Sequence, residues 1–458
     1  MKKHITFALL FAAALTAQAQ QGGISGEMLN QIKQSYKATP ADKAIRNALG
    51  GTSINTLALN QENRADFDTE FSHKVLSKGI TDQQSSGRCW LFTGLNVLRS
   101  QMIAKYGLDE MEFSQNYCFF YDQLEKANLF LQGIIDTSGK PMDDKMVEWL
   151  FKHPLSDGGQ FTGVSDIIEK YGLVPKSAMV ETFSSENTGK MSSLIGLKLK
   201  EFGLQLREAA AAGVKPVELE KKKTKMLGTV YRMLVLTLGE PVSTFTWSLK
   251  GGEAKEYTPV SFYKEFLGND LTNNYVMLMN DPSREFYKCY EIDFDRHRYD
   301  GKNWTYVNLP IEDIKEIAIA SIKDSTMMYF SCDVGKFLDS KRGLLDPDNY
   351  DYESLMGTTF GMDKKQRIQT FSSGSSHAMT LMAVDLDKAG KSKKWMVENS
   401  WGSASGYRGH LIMTDKWFDE YMFRVVAEKK YVPAKVLDIL KQKPIRLPAW
   451  DPMFADEE

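Results

Sequence analysis

Only four of the 458 residues are cysteines, and one of them stands where a cysteine can become a nucleophile. Cys89 lies next to last in the segment Asp82-Gln83-Gln84-Ser85-Ser86-Gly87-Arg88-Cys89-Trp90. Leu91, Leu95, Leu98 and Met102 then recur at helical spacing, which predicts a helix that opens at the cysteine, with Ser85, Ser86 and Gly87 as turn and capping residues, and ends at Tyr106-Gly107. The thiolate, not the thiol, attacks, and a free thiol with a pKa near about 8.5 is mostly protonated at neutral pH. A helix N-terminus lowers that pKa, and a histidine that pairs with the sulfur lowers it further.

Two of the six histidines are placed for that role. His377 lies in Ser375-Ser376-His377-Ala378-Met379-Thr380 at the mouth of an apolar strand, and His410 opens another strand after Gly409. A strand-edge histidine alone is more often a packed side chain. What singles out His377 is Val397-Glu398-Asn399-Ser400-Trp401-Gly402, where Asn399 can orient an imidazole and Trp401 can shield the contact.

The elements that must carry these residues divide the chain. Helical stretches are expected at about 114–133 and 162–171, and 190–240 reads as a long helical hairpin whose Lys221, Lys222, Lys223 and Lys225, interleaved with Glu218 and Glu220, form a solvated face. From Tyr275 the period falls towards two, with short strands at 275–279, 327–332, 379–384, 395–397 and 410–413. Helices first and strands second predict an α+β fold. The expected order is a signal peptide at 1–19, an N-terminal arm at 20–60, a helical lobe with Cys89 at 61–189, a helical insertion at 190–270, a β-rich lobe with His377 and Asn399 at 271–440, and a tail at 441–458.

Composition removes several function classes. Hydrophobic residues make up 42% and charged residues 25%, as in ordinary globular proteins, and a net charge of -2 favours neither nucleic acid nor an anionic membrane. Lys2 and Lys3, an apolar run over 5–15 and Ala17-Gln18-Ala19 read as a secretory leader, so the expected location is exported, periplasmic or secreted, with no membrane span after cleavage. Four cysteines are too few for a disulfide scaffold, although one bridge among Cys118, Cys289 and Cys332 stays open. No His-Glu-x-x-His, paired cysteines or phosphate-binding glycine loop occurs, so no metal and no cofactor are expected.

Gln-x5-Cys-Trp, then His-Ala, then Glu-Asn-Ser-Trp-Gly, in that order, resembles the papain-like cysteine peptidases. His377 follows Cys89 by 288 residues, against about 130–150 in papain-type chains, so something large has been inserted. The insertion, with Ser-Ser-Gly-Arg-Cys-Trp-Leu-Phe at 85–92, Asp-Gly-Gly-Gln at 157–160, Thr-Phe-Thr-Trp at 244–247 and Trp-Asp-Pro-Met at 450–453, resembles the bleomycin hydrolase and bacterial aminopeptidase C branch over nearly the whole mature chain. The resemblance implies a two-lobed papain-like fold and a cysteine aminopeptidase acting on peptide substrates, built as a homohexamer. It assigns Cys89 as nucleophile, His377 as general base, Asn399 as the residue that holds the ring, and Gln83 as an oxyanion donor, chosen over the adjacent Gln84 by its offset alone. Gly158 and Gly159 would line the substrate backbone, Trp401 would shield the His-Asn contact, and Glu458 would end a tail that lies in the cleft. Phe454 and three acids depart from the small residues usual in that tail, which keeps an endopeptidase or peptide amidase as the alternative. A transglutaminase-like acyl transferase and a non-catalytic member of the fold share the same residues as more distant readings.

Overall fold

The computed structural model describes residues 22–64 and 68–453; the expected leader at 1–19 and the tail at 454–458, with Glu458, lie outside the described residues. Residues 22–59 with 351–358 form one compact unit, and the other described residues form a second, larger one.

In the smaller unit, helices Gly26–Ser35, Pro40–Leu49 and Ile54–Ala58 each start at a hydroxyl cap, Ser25, Thr39 and Ser53. Thr39 and Asp42 cap each other's backbone N–H groups, and Pro40 occupies the first turn, where its missing donor costs nothing. The Tyr352 hydroxyl donates to Asn55 Oδ1 at 2.9 Å.

The larger unit is helical at first and then dominated by one sheet. Its central helix is Cys89–Tyr106, closed by Gly107 in the left-handed region at φ 60°. Every residue from 89 to 99 is buried, so the helix is covered on all sides and not only along the leucine stripe. Gly94 makes this close packing feasible: a Cβ there would lie 2.5 Å from Val164 Cγ2 on helix Phe161–Tyr171. The capping expectation is corrected here. The N-cap is Arg88, and no side chain caps the first turn. Ser86 instead donates to the Gln83 carbonyl at 2.6 Å, and the Gly87 N–H donates to Asp157 Oδ2 at 2.9 Å.

The second helix is Gln115–Asp136, capped by Ser114. Helices Gly189–Ala211 and Pro216–Leu238 form a hairpin that packs on it, burying Ile195, Leu199, Phe202 and Leu206 from one arm and Met226, Val230, Leu234 and Leu238 from the other. Of the lysine run, Lys221, Lys222 and Lys225 are exposed, with Lys221 2.8 Å from Glu218, whereas Lys223 departs from the expected solvated face: its side chain is largely buried and donates to Gln132 Oε1 on the neighbouring helix.

A twelve-stranded sheet among the described residues supplies the rest of the frame. Strand His377–Leu386 runs antiparallel to Met328–Cys332 on one side and to Ser392–Glu398 on the other, and the latter pairs with His410–Thr414. His377 faces Cys332 and Thr380 faces Glu398 in these registers. The cysteine helix packs against the histidine strand. None of the four cysteines is in a disulfide; burial pushes the Cys118 thiol up, and the Cys289 thiol up to about 11. No helix among the described residues is long and apolar enough to cross a membrane.

Candidate active site

Cys89 is the first residue of its helix and is fully buried, and the first-turn N–H groups carry no side-chain cap. Such a helix end favours negative charge. Arg88, immediately before it, is also fully buried; its guanidinium is 2.8 Å from Glu181 and lies over the Phe92 and Phe119 rings.

His377 opens its strand and Asn399 follows the end of the neighbouring one, so antiparallel pairing brings together two side chains that are 22 residues apart in sequence. His377 Nε2 is 2.8 Å from Asn399 Oδ1, and the Ser400 backbone N–H donates to the same oxygen at 2.8 Å. A backbone N–H can only donate, so it fixes that atom as the amide oxygen. Nε2 therefore carries a hydrogen, and in the neutral ring Nδ1 is the nitrogen that accepts a proton. The Trp401 ring covers the imidazole at 4.7 Å between centroids.

Gln83 is joined to the same segment. Its N–H donates to the Ser400 carbonyl at 2.8 Å, its Oε1 accepts from Ser400 Oγ at 2.7 Å, and its Nε2 donates to the Ser86 carbonyl at 2.7 Å. Gln84 is exposed, with left-handed backbone at φ 53°, and turns out of the site. Burial thus separates two side chains that are chemically equal in sequence.

Gly158 and Gly159 are both buried. The Gly158 carbonyl accepts from Lys126 Nζ at 2.5 Å. A Cβ on Gly159 would stand 2.4 Å from His297 Cε1 and 2.9 Å from Trp90 Cδ2, so this position is glycine because a buried histidine and the tryptophan beside Cys89 leave no room. His297 is held by Asp122, with Nδ1 to Oδ1 at 2.5 Å. Burial pushes the Asp122 carboxyl up, but Lys126 and His297 together outweigh it and hold the group below its ordinary value. The Trp90 indole N–H donates to the Asp157 carbonyl at 2.9 Å.

Asp122, Lys126 and His297 were not visible as site residues in sequence. Asp122 and His297 are separated by 175 positions, and neither sits in a motif. Asp157 adjoins the glycine pair and opens the Asp-Gly-Gly-Gln motif, which was its local signal. The described residues contain no cluster of three or more His, Cys, Asp or Glu side chains able to hold a metal ion.

Residues 23–454 match the model of the Peptidase C1-like family. The chain is 37% identical to human bleomycin hydrolase over 450 residues, covering 94% of this chain and 98% of that one. It is 35% identical to aminopeptidase C of Listeria monocytogenes over 445 residues, covering 94% and 99%. The crystal structure of PepW from Lactobacillus rhamnosis superposes with a TM-score of 0.90 at 36% identity, covering 95% of this chain and 100% of that one. A cysteine at a helix start, a histidine bonded to an asparagine, and a match over almost the full length converge on one conclusion: the chain belongs to the Peptidase C1-like family of cysteine peptidases.

Proposed function

We propose that the protein is an exported cysteine aminopeptidase that removes N-terminal residues from peptides through Cys89, His377 and Asn399. The observation that carries the reading is the continuous chain of hydrogen bonds His377–Asn399–Ser400–Gln83. It gives the imidazole one defined tautomer and ties it to an amide donor in the loop that leads to Cys89. The names of the relatives, aminopeptidase C and bleomycin hydrolase, support the same activity.

In this mechanism His377 Nδ1 takes the Cys89 proton, and Nε2–H stays bonded to Asn399. The thiolate attacks the scissile carbonyl carbon, and negative charge moves to the carbonyl oxygen. That oxyanion is met by the Cys89 N–H and by the second Gln83 Nε2 hydrogen, the one not engaged with Ser86. Nδ1–H then passes its proton to the leaving amine as the C–N bond breaks, leaving a thioester. Water, deprotonated by Nδ1, attacks the thioester, and the carboxylic acid leaves with Cys89 restored.

Gly158 and Gly159 line the substrate backbone, Trp401 keeps water from the His-Asn bond, and Glu458 presents the terminal carboxylate to the substrate's α-amino group. Assembly is a homohexamer in which the helical hairpin makes subunit contacts; Leu197 and Leu236 on it are exposed. Export rests on the Lys2, Lys3 and Ala17-Gln18-Ala19 pattern and is tested by cell fractionation.

The deciding experiment compares hydrolysis of peptides with free and N-acetylated termini, by the full chain and by a chain that ends at Met453. Preference for free termini that relaxes on truncation is expected. Equal cleavage of both substrates by the full chain would replace the aminopeptidase with the endopeptidase or amidase reading.

A further inference from the structure

Ten residues after Cys89, on the same helix, Arg99 is buried with an ion-pair partner that immediately precedes Asn399. Arg99 Nη2 is 2.5 Å from Glu398 Oε1, and the two side chains are 5% and 0% exposed. The same nitrogen donates to the Gly79 carbonyl at 3.2 Å, and Ser77 Oγ donates to the other oxygen of Glu398. One turn earlier on the helix, Asn96 Nδ2 donates to Thr81 Oγ1 at 3.0 Å.

These contacts join three segments. The helix that begins at Cys89 holds the strip 77–81 through Asn96 and Arg99. The strip continues to Gln83, which bonds to Ser400, while the Gly402 N–H donates to the Thr81 carbonyl. Strand Ser392–Glu398 ends at the Arg99 partner, and Asn399 is the next residue. Adjacent Cα atoms are about 3.8 Å apart, so a displaced Glu398 backbone displaces Asn399.

Stability by itself is a weak reason for the pair. Burial raises the Glu398 pKa even with Arg99 and Ser77 acting against it, and buried ion pairs are often no better for stability than apolar residues of similar volume. What the pair does supply is a fixed distance between the cysteine helix and the end of the asparagine strand.

We infer that Arg99 and Glu398 are positioning residues, which set where Asn399 and Gln83 stand relative to Cys89. This inference rests on the Cys89-His377-Asn399 reading above and adds two residues that touch neither substrate nor reacting atoms.

The test uses Glu398→Gln, which keeps shape and an acceptor but removes the charge, and Arg99→Lys, which keeps the charge but loses the fork. Three assays are run: steady-state kinetics for kcat and KM on a free-amino aminoacyl-coumarylamide, the pH profile of Cys89 alkylation by iodoacetamide, and thermal unfolding. Glu398→Gln is expected to lower kcat by about 10- to 100-fold, the scale of a small misplacement of catalytic groups. Its KM should stay within about twofold, because what is lost is the placement of groups that act in the transition state and not a contact to substrate. The acid limb of alkylation should move to higher pH as the imidazolium loses its orienting partner. Arg99→Lys should fall between Glu398→Gln and the parent in both readouts.

A folded Glu398→Gln protein with the parent's kcat and alkylation profile would overturn the inference. Should Glu398→Gln fail to fold, Arg99→Lys decides by the same criteria. Absence of Cys89-dependent turnover in the parent would instead strike the function reading, and the alkylation profiles, which need no substrate, would still separate parent from variant.

Discussion

The proton path is set by single atoms. Because Asn399 Oδ1 is bonded to both Nε2 and the Ser400 N–H, replacing Asn399 by alanine releases the ring without touching the thiol. Cys89→Ala is expected to abolish turnover, His377→Ala to be nearly as severe, and the double variant to be little worse than either, because the two act as a unit. Losses that multiply in kcat/KM would show that they are not partners. Gln83→Ala should cost about 10²- to 10³-fold in kcat, the usual value of one oxyanion donor. Gln84→Asn, a substitution suited to the left-handed backbone there, should leave kcat near the parent's value, since that side chain is exposed. Equal losses at both positions, in the same steady-state assay, would mean that the loop and not the amide matters.

At the scale of elements, glycines decide how closely the cysteine helix and its neighbours approach. Gly159→Ala would drive a methyl group into His297 and Trp90, and overpacking of this kind costs about 1–3 kcal/mol. The matched control is Gly139→Ala, where a Cβ meets nothing within 4 Å. Urea unfolding should show a lower midpoint for the first and little change for the second, and equal midpoints would mean that His297 moves aside freely. The Asp122–His297 pair beneath Gly159 adds a pH signature. Its carboxyl is held below the ordinary value, so the stability it contributes is present above the unfolded carboxylate pKa and is lost as pH falls through the folded one.

For the molecule as a whole, one buried lysine shapes stability against pH. Lys364 Nζ donates to Asn280 Oδ1 and the Met422 carbonyl at 2.6 Å each, and to the Asp419 carbonyl at 3.0 Å, all neutral acceptors. Burial lowers its pKa from 10.5 to about 7, with Glu420 and Asp419 opposing the shift. Between those values the unfolded chain binds the extra proton, so stability rises with pH, by at most about 1.4 kcal/mol per unit for one proton. Lys364→Met loses these contacts, at most two of which a neutral amine with two hydrogens can donate, so it should be less stable, and it should flatten that rise. Urea titrations of both proteins at pH 7.5 and 9.5 check the prediction; identical slopes would show that Lys364 keeps its charge when folded.

Local periodicity carried much of the architecture. Strand 275–279 coincides with the observed Tyr275–Met279, and the helix opening at Cys89 and closing at Gly107 follows from its leucine spacing and a left-handed glycine. These features depend on neighbours three or four positions away, and so do the motifs that mark the family, which is why they are legible without a structure. The Ser85–Gly87 capping expectation failed because Arg88 is the residue before the first turn, and the Ser86 hydroxyl accepts from Arg88 Nε and donates to the Gln83 carbonyl. Nothing in the chain ranks Gln83 above Gln84 except an offset; the fold buries one and exposes the other. Glu398 meets Arg99 across 299 residues and His297 meets Asp122 across 175, pairings that only strand register and helix packing create. Sequence by itself determined which residue types stand at the starts and ends of elements, because backbone period and capping are local. Tertiary structure decided which of them share a hydrogen bond, because that depends on where distant elements come to rest.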